Sequence, residues 1–524
     1  MELTLNQRTA AYTTERLSYV ESVPGSGKTA IAAERFGYLR YPVRSSRGVL
    51  ALTYNRAACA ELVQRIYFRW GPRCVTNVHR VMTFDELYRD ILEFLLSRSL
   101  IVWPGSDGVL EVRDSYRGFS GFRTFRKGEK ARVYSARLDS ARRLESVYGE
   151  VKGVTSGISK KRDHYQVLKR GIVTHDDVRS VVASALDDSE LAAQIQGWLL
   201  SQFRAFVVDE VFDLNLLDVR FVRLAVESNL VVSLIGDPWQ TLYGWRGARP
   251  ELVQSMIVQG GSSPVIPGRF VCYAQDDSFR FSEPNQIRLV SDLRQGKGVA
   301  LPAVTSLDVD VVLSRYWCDL LDCGTNVLPF ALKTIHNQVD AALNLFLNSL
   351  TRRYFDCNSF GRDHALSVLR LSVEEFEPLQ DLVFIDLAER LYHGASPSEI
   401  FDELLILIGS LVKGRKPSVR KNKRNEYVGV VASLAMRLRS ESLIPGLTVF
   451  QAKGREWDRV AVVLFEDDVD RLAKGISPFV KDELDEDACM LDEDACILYV
   501  AITRGRRLTG QILLQSSCVD VEGN

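Results

Sequence analysis

The stretch Glu21-Ser22-Val23-Pro24-Gly25-Ser26-Gly27-Lys28-Thr29 decides the fold of this chain. It follows the apolar pair Tyr19-Val20 and precedes a helix-forming run, which gives the order strand, glycine-rich loop, helix. The glycines let successive backbone amides converge on one anion, while the lysine reaches the outer phosphates and the threonine hydroxyl holds Mg²⁺. The loop predicts a nucleotide-binding α/β domain, although a glycine turn before a surface helix would give a similar pattern. Ser22 stands where the pattern usually has Gly, and a small side chain still fits.

The composition is that of a globular protein with several domains. A chain of 524 residues exceeds a single hydrophobic core, so three or four domains are expected. The net charge of −1 means that a nucleic-acid partner would be held by local basic patches. No apolar run approaches the ~18 residues of a membrane span, and the first residues lack the pattern of a signal peptide. Nine cysteines without a CxxC pair suit a reducing compartment. The expected location is the cytoplasm, or the nucleus in a eukaryote, without a membrane partner.

A second nucleotide-binding element is predicted far downstream, at Phe206-Val207-Val208-Asp209-Glu210. A short β-branched run that ends in two acids is typical of a buried parallel strand with carboxylates at its C-terminal end. Ligands of open α/β sheets collect at that edge. Asp209 is placed to hold Mg²⁺ together with Thr29, and Glu210 to orient and deprotonate the attacking water. Alone, the run would be better explained by a plain strand-to-loop transition; together with the loop at 22–29 it predicts the second part of a nucleotide site.

A third strand is predicted at Leu230–Ile235, and the block that follows it carries a family resemblance. Residues 236–248, Gly-Asp-Pro-Trp-Gln-Thr-Leu-Tyr-Gly-Trp-Arg-Gly-Ala, resemble motif III of the UvrD/Rep/PcrA-type superfamily 1 helicases. Other motifs of that family occur in order: Asn6-Gln7 is similar to the adenine-reading motif, 49–58 to motif Ia, 81–84 to motif Ib, 278–281 to motif IV, 447–458 to motif V and 498–504 to motif VI. The residues of motifs Ia, IV and V resemble those of the F-box-helicase-like branch of the family. The ordered set is more specific than any one motif.

The resemblance implies an α/β fold of two RecA-like P-loop domains with mostly helical insertions, using ATP and Mg²⁺. It assigns the hydrolytic groups to Lys28, Thr29, Asp209, Glu210, Gln240, Arg280 and Arg504. Gln7 would read the adenine edge, Phe279 would stack on the base, and Gly454 and Glu456 would meet the nucleotide from motif V. Arginines that reach the γ-phosphate neutralise charge during phosphoryl transfer.

The resemblance also implies a track for DNA. Aromatic faces grip single-stranded bases without sequence preference, each worth ~1–3 kcal/mol. Tyr243 and Trp245 would stack on bases, with Arg246 beside them on a phosphate. Backbone contacts are expected from motif Ia, motif Ib and motif V, namely Thr53, Tyr54, Asn55, Arg56, Thr83, Phe84 and Lys453.

Two insertions divide the predicted domains. The first RecA-like domain is expected at 1–86 and 200–276, with a basic helical insertion at 87–199. The second is expected at 277–372 and 441–515, with a reduced helical insertion at 373–440. The segment from Arg113 to Arg143 holds ten Arg or Lys against three acids, with aromatics interleaved. That mixture suits phosphate binding or, equally, a solvated basic surface.

Two departures from the family pattern concern the coupling of ATP to DNA. Phe212 replaces a Gln after the acidic strand, and Phe450 replaces a His in motif V. The hydrolytic residues remain, so ATPase activity with altered coupling is expected. The leading hypothesis is an ATP-dependent translocase or helicase on single-stranded or partly duplex DNA, 3′ to 5′ by resemblance. The alternative is a DNA-sensing ATPase subunit that works with a nuclease or another protein partner, as in a defence complex. A kinase or GTPase would leave motifs III to VI unexplained.

Overall fold

The structure is a computed structural model that describes residues 3–105, 110–125, 131–151, 156–242, 244, 247–259, 269–332, 335, 337–412, 417, 419, 421–481 and 489–515. It divides into two compact units. The first holds Met1–Pro238 and Tyr243–Ser278, and the second holds Trp239–Leu242 and Phe279–Asn524.

The first unit begins with alternating strands and helices. These are α1 (Leu5–Ala11), β1 (Leu17–Ser22), α2 (Lys28–Arg40), β2 (Gly48–Thr53), α3 (Arg56–Trp70), β3 (Arg80–Thr83) and α4 (Phe84–Ser97). The strands are short apolar runs: every residue of β2 is buried, as expected for a strand covered on both faces. The helices begin at polar caps, since Asn55 and Thr83 accept hydrogen bonds from backbone amides of the first turn.

The segment that follows α4 contains strands as well as helices. Its elements are β4 (Glu111–Arg113), β5 (Phe122–Thr124), β6 (Ala131–Leu138), β7 (Leu144–Val151), β8 (Ser156–Ile158), α5 (Lys161–Lys169), β9 (Ile172–Thr174), α6 (His175–Asp187) and α7 (Ser189–Gln202). The helical insertion predicted for 87–199 did not include these strands. Cross-strand pairing explains the hairpin of β6 and β7, in which the Tyr134 and Tyr148 rings lie 5.8 Å apart.

The first unit is completed by β10 (Phe203–Val208), α8 (Leu216–Glu227), β11 (Val231–Gly236), α9 (Pro250–Gln259) and β12 (Val271–Gln275). Its main sheet has the order β12-β1-β11-β10-β2-β3, and all of its pairings are parallel. Parallel strands end at a common edge, which we call the nucleotide edge because the glycine-rich loop follows β1 there.

The second unit contains α10 (Pro284–Arg294), β13 (Val311–Ser314), β14 (Val327–Pro329), α11 (Gln338–Phe355), α12 (Arg362–Leu369), α13 (Val373–Leu379), α14 (Ile385–Tyr392), α15 (Pro397–Leu411), α16 (Lys421–Leu438), β15 (Ile444–Thr448), α17 (Val449–Ala452), β16 (Trp457–Leu464), α18 (Glu466–Lys474), β17 (Phe479–Lys481), β18 (Cys489–Leu491), α19 (Glu493–Ile502) and β19 (Gly505–Leu513). A parallel sheet of order β14-β15-β13-β16-β19 forms its base.

The helical part of the second unit is larger than predicted. Helices α11 and α12 share one apolar core with α13 to α16, through side chains such as Phe346, Leu366 and Phe401. The predicted boundary at 373 therefore falls inside this bundle, which begins near Gln338. The apolar faces of α11 and α12 gave no signal of a boundary, because a buried helix looks alike in a bundle and beside a sheet.

Candidate nucleotide and nucleic-acid site

The glycine-rich loop lies between β1, an inner strand of the first sheet, and α2. Gly25 and Gly27 have φ angles of +78° and +83°, a region that side chains rarely adopt. Helix α2 begins at Lys28, so its positive end and its first amides face the loop. This local geometry is that of a phosphate-binding loop.

Neighbouring elements hold the loop in place. Gln7 Nε2 donates to the carbonyl oxygen of Ser26 at 2.7 Å, and Ser278 Oγ donates to that of Pro24 at 2.6 Å. The Val23 amide donates to the carbonyl oxygen of Gln275 at 3.1 Å. Gln7 is buried, and its side chain also accepts from the Thr4 amide at 2.9 Å as part of the α1 capping box. The predicted adenine-reading residue thus contacts the loop itself.

The loop contains polar atoms that suit an anionic ligand. Ser22 Oγ, Ser26 Oγ and Lys28 Nζ are buried and have no hydrogen-bond partner within the described part of the chain. Buried polar groups are normally paired, and unpaired ones cost ~1–3 kcal/mol each. A lysine ammonium and two hydroxyls beside converging amides fit a triphosphate group, and Thr29 is the next residue along the chain.

The acidic pair follows β10 at the same edge of the sheet. Glu210 Oε1 lies 3.8 Å from Lys28 Nζ, which brings the downstream acid to the nucleotide loop. Asp209 is buried, and its amide donates to the carbonyl oxygen of Leu52. Burial, together with the charge of Glu210, raises the pKa of Asp209 to about 7, and Lys28 acts in the opposite direction.

The residues after β2 and β3 divide into buried and exposed groups. Asn55 and Arg56 are exposed, and Tyr54 is half-buried. Thr53, Thr83 and Phe84 are buried. Thr53 Oγ1 donates to the carbonyl oxygen of Asn55 at 3.2 Å, and Thr83 caps α4. Burial thus differs from the predicted surface track at these three residues: the two threonine hydroxyls make local hydrogen bonds, and the Phe84 ring packs 6.2 Å from that of Tyr88.

Of four further predicted site residues, three are for nucleic acid and one, Phe279, is for the nucleotide. Tyr243, Trp245 and Arg246 are outside the described residues. Phe279, predicted to stack on the base, is the first residue of the second unit's main segment and is 53% exposed.

A second group of predicted site residues meets within the second unit. Gln240 Oε1 accepts a hydrogen bond from Arg504 Nη2 at 3.2 Å, and the Gln240 carbonyl accepts one from Lys453 Nζ at 3.0 Å. The Trp239 ring packs against Tyr499 at 4.9 Å. Gln240 and Arg504 are both buried, so motifs III, V and VI form one polar cluster in this unit.

The remaining predicted residues of the second unit lie close by in the same cluster. Arg280 Nε donates to Glu456 Oε2 at 2.8 Å, and Arg280 Nη1 donates to the carbonyl oxygen of Thr503 at 2.9 Å. Gly454 is exposed and has a φ of +85°, which permits the tight bend between α17 and β16. Glu456 is thus an ion-pair partner of an arginine in the described structure.

The two departures from the family pattern are packing residues here. Phe212 is buried, and its ring lies 6.1 Å from that of Tyr19 in an edge-to-face contact. Gly236 also touches it: a Cβ added at that glycine would lie 3.0 Å from Phe212 Cδ2. Phe450 packs partly buried against the core of the second unit. Apolar packing thus occupies both positions.

Sequence reasoning missed several residues of these sites. The backbone carbonyls of Gln275 and Thr503 accept hydrogen bonds from the Val23 amide and from Arg280, which a motif does not show. Ser278 belongs to the motif IV block, but the motif does not predict the hydrogen bond that its hydroxyl donates to the Pro24 carbonyl oxygen.

These two arrangements define a class: the first unit is a P-loop nucleotide-binding domain of the RecA type, and the second repeats the parallel α/β fold. The UvrD/REP helicase N-terminal domain family matches residues 3–102 and 150–259. This part of the chain is therefore similar to the N-terminal domain of the UvrD/PcrA-type superfamily 1 helicases.

Individual helicases show the same relationship at low identity. A probable DNA helicase II homolog of Mycoplasma genitalium is 24% identical over 250 residues, which is 44% of this chain and 35% of that protein. A probable DNA helicase of Mycoplasma pneumoniae is 24% identical over 271 residues, or 48% and 49% of the two chains. The ATP-dependent DNA helicase PcrA of Staphylococcus aureus is 22% identical over 258 residues, or 46% and 34%.

The matches span about a third to a half of the length of these curated relatives. Among the described residues, no helix combines the length and the apolar composition that crossing a membrane requires.

Proposed function

We propose that this protein is an ATP-dependent translocase or helicase that acts on single-stranded or partly duplex DNA. The observation that carries the proposal is the meeting of the glycine-rich loop and the acidic pair, with Lys28 Nζ 3.8 Å from Glu210 Oε1. The names of the relatives, DNA helicase II and PcrA, support the choice of DNA as the substrate.

The residues of the nucleotide edge have distinct tasks in this proposal. The loop amides and Lys28 bind the phosphates, Thr29 and Asp209 hold Mg²⁺, and Glu210 accepts a proton from the attacking water. Bound MgATP would supply the phosphoanhydride bond and the divalent charge. Gln7 holds the loop through its hydrogen bond to the Ser26 carbonyl oxygen. Because it lies beside the loop, it stays the predicted contact for the adenine edge.

The second unit contributes a preformed polar cluster. The roles of Gln240, Arg280 and Arg504 in hydrolysis, and of Phe279, Gly454 and Glu456 in nucleotide binding, stay predictions for mutagenesis. The hydrogen bond between Gln240 and Arg504 supports them, because it joins two of the predicted sensors in one network. Lys453 belongs to the same network through the Gln240 carbonyl.

The DNA side of the proposal depends on exposed residues after the strands. Asn55 and Arg56 at the nucleotide edge are the described candidates for backbone contacts. A direction of 3′ to 5′ follows from the resemblance only. The alternative, a DNA-sensing subunit of a nuclease complex, is not favoured by the names of the relatives.

A strand-displacement assay tests the proposal. Purified protein, ATP and Mg²⁺ are added to a labelled duplex with a 3′ single-stranded tail, and a 5′-tailed duplex is the control for direction. Release of the labelled strand from the 3′-tailed duplex alone is expected. Glu210→Gln should slow hydrolysis by ~10²–10⁴-fold, because it removes the base. Glu93→Gln, an exposed residue of α4, makes the same chemical change outside the site and should leave the rate unchanged.

Two results would contradict the proposal. Hydrolysis that continues at the same rate in Glu210→Gln would show that Glu210 is not the base. Hydrolysis without any strand release from either duplex, together with a stably bound protein partner, would favour the subunit alternative.

A further inference from the structure

A group of arginines gathers at the edge of the first sheet where the strands begin, opposite the nucleotide edge. Arg40 ends α2, Arg44 lies in the following loop, Arg47 precedes β2, and Arg204 is the second residue of β10. We call these four residues the basic edge. The sequence contains no Asp or Glu between Glu34 and Glu61, so the whole α2–β2 connection lacks a compensating acid.

The positive charges of the basic edge act on one another. Burial, then the charges of Arg40 and Arg47, lowers the pKa of Arg204. Burial, then Arg40 and Arg204, lowers the pKa of His79 to about 4, which keeps that imidazole neutral. Cations close enough to repel one another cost stability unless an anion or a helix dipole offsets them.

The negative end of the α2 helix dipole offsets only part of the positive charge of the basic edge. Arg204 Nη2 donates to the carbonyl oxygens of Leu39 and Arg40, which lie at the negative end of the helix. Such a contact typically stabilises a helix by ~0.3–1 kcal/mol. Arg44 and Arg47 are exposed, and Arg47 Nη1 donates a long hydrogen bond of 3.4 Å to the Leu200 carbonyl oxygen.

Aromatic stacking fixes the position of Arg40. Its guanidinium lies 5.2 Å from the centre of the Tyr41 ring, whose other neighbour is the Trp70 ring at 5.4 Å and 29°. Arg69 lies 5.0 Å from the Trp70 ring and pairs with the buried Glu34 at 2.8 Å. The four side chains 40, 41, 70 and 69 form one stack, which orders Arg40 before any ligand binds.

Two guanidinium groups of the basic edge also have a donor that is not satisfied within the described part of the protein. Arg40 Nε and Arg204 Nε are buried and have no hydrogen-bond partner within the described residues. Planar guanidinium groups in fixed positions suit the oxygens of phosphates, which they contact through paired donors. The Tyr41 ring packs against Arg40 and Trp70, so the contacts that this surface offers a nucleic acid are mainly those of its guanidinium groups to phosphates.

We propose that the basic edge is a phosphate-binding surface that holds the backbone of a nucleic acid, separate from the nucleotide edge. This inference rests on the proposed function in one respect, because DNA is the polyanion that the protein is proposed to meet. Contacts to phosphates alone bind single-stranded and duplex DNA without sequence preference.

The experiment compares two double variants of the full chain with the unaltered protein. Arg44→Gln/Arg47→Gln neutralises the exposed part of the basic edge. Arg352→Gln/Arg353→Gln removes the same charge from α11, where the guanidiniums pair with Asp356 at 3.4 Å and Glu389 at 2.9 Å. Fluorescence anisotropy with a labelled blunt duplex, a labelled single strand and labelled polyglutamate is measured between about 50 and 200 mM salt.

Loss of two phosphate contacts should weaken the binding of both DNAs about tenfold at low salt. The slope of log K against log salt should become less steep by about 1.8 for the duplex. The α11 variant should match the unaltered protein, and basal ATP hydrolysis should be the same in all three.

An unchanged DNA affinity and slope in Arg44→Gln/Arg47→Gln would overturn the inference, as would unaltered protein that binds neither DNA. Loss of polyglutamate binding alone would also overturn it, and would point to an acidic protein segment. The proposed function fails on a different result, namely ATP hydrolysis that DNA does not stimulate, whatever the anisotropy shows.

Discussion

Asp209 should make the binding of Mg²⁺ and nucleotide depend on pH near neutrality. Its carboxyl group must lose a proton to hold the metal ion, and burial beside Glu210 raises its pKa to about 7. Most of these groups are therefore protonated at pH 6 and ionised at pH 8, so the ionised fraction increases about tenfold over this interval. The affinity should therefore rise about tenfold over this interval, which equals about 1.4 kcal/mol.

Calorimetric titration with a non-hydrolysable ATP analogue and Mg²⁺ at pH 6, 7 and 8 measures this dependence. Asp209→Asn should bind more weakly and lose most of the dependence, and the part that remains is the titration of the analogue itself. Lys28→Met should move the midpoint to higher pH, since Lys28 lowers the pKa of Asp209. The same dependence in Asp209→Asn as in the unaltered protein would refute the reasoning.

The pH dependence of the free energy of unfolding, measured without ligand, independently checks the direction of the pKa shift of Asp209. A carboxyl group whose pKa is raised in the folded state binds more protons when folded than when unfolded, between about pH 4 and pH 7. Folding stability should therefore fall as the pH rises across this window, by up to about 1.4 kcal/mol per pH unit from this group. The difference between the unaltered protein and Asp209→Asn in urea unfolding isolates that contribution.

Three substitutions test other parts of the account. Gly27→Ala should reduce nucleotide affinity at least tenfold, because the residue has a φ of +83° and its Cβ would lie 2.9 Å from Gln7 Nε2; unchanged binding in the titration would contradict this. Gly37→Ala should lower the free energy of unfolding by roughly 1–3 kcal/mol, since its Cβ would lie 2.1 Å from Trp70, and a neutral effect in urea denaturation would show that the stack of the basic edge is loose. Asp177→Asn should cost roughly 3 kcal/mol, because the buried carboxylate accepts hydrogen bonds from the Ala136 amide at 2.7 Å and from a threonine hydroxyl at 2.7 Å; a loss below 1 kcal/mol would refute that role.

The nucleotide edge was predictable from sequence because its signals are local. A strand, a glycine-rich loop and a helix are adjacent in the chain, so Ser22–Thr29 predicted the order of β1 and α2. The run that ends at Asp209 and Glu210 predicted β10 by its apolar, β-branched residues. The edge that both elements share follows from the parallel order of the strands.

The parts that sequence did not reveal depend on contacts between distant segments. Nothing in the composition of 338–369 shows that α11 packs with α15 and not on a sheet. The predicted helical insertion at 373–440 was therefore shorter than the helical bundle. Thr53 and Thr83 were expected on a surface because motifs give residue types and not burial. The basic edge was also not foreseen, since its arginines come from three separate elements.

The most direct test of the central claim is the rate of ATP hydrolysis with and without single-stranded DNA. The account predicts a Mg²⁺-dependent rate that single-stranded DNA stimulates, and that Lys28→Ala removes while the exposed Lys297→Ala does not. A rate that DNA leaves unchanged, or one that persists in Lys28→Ala, would contradict the account.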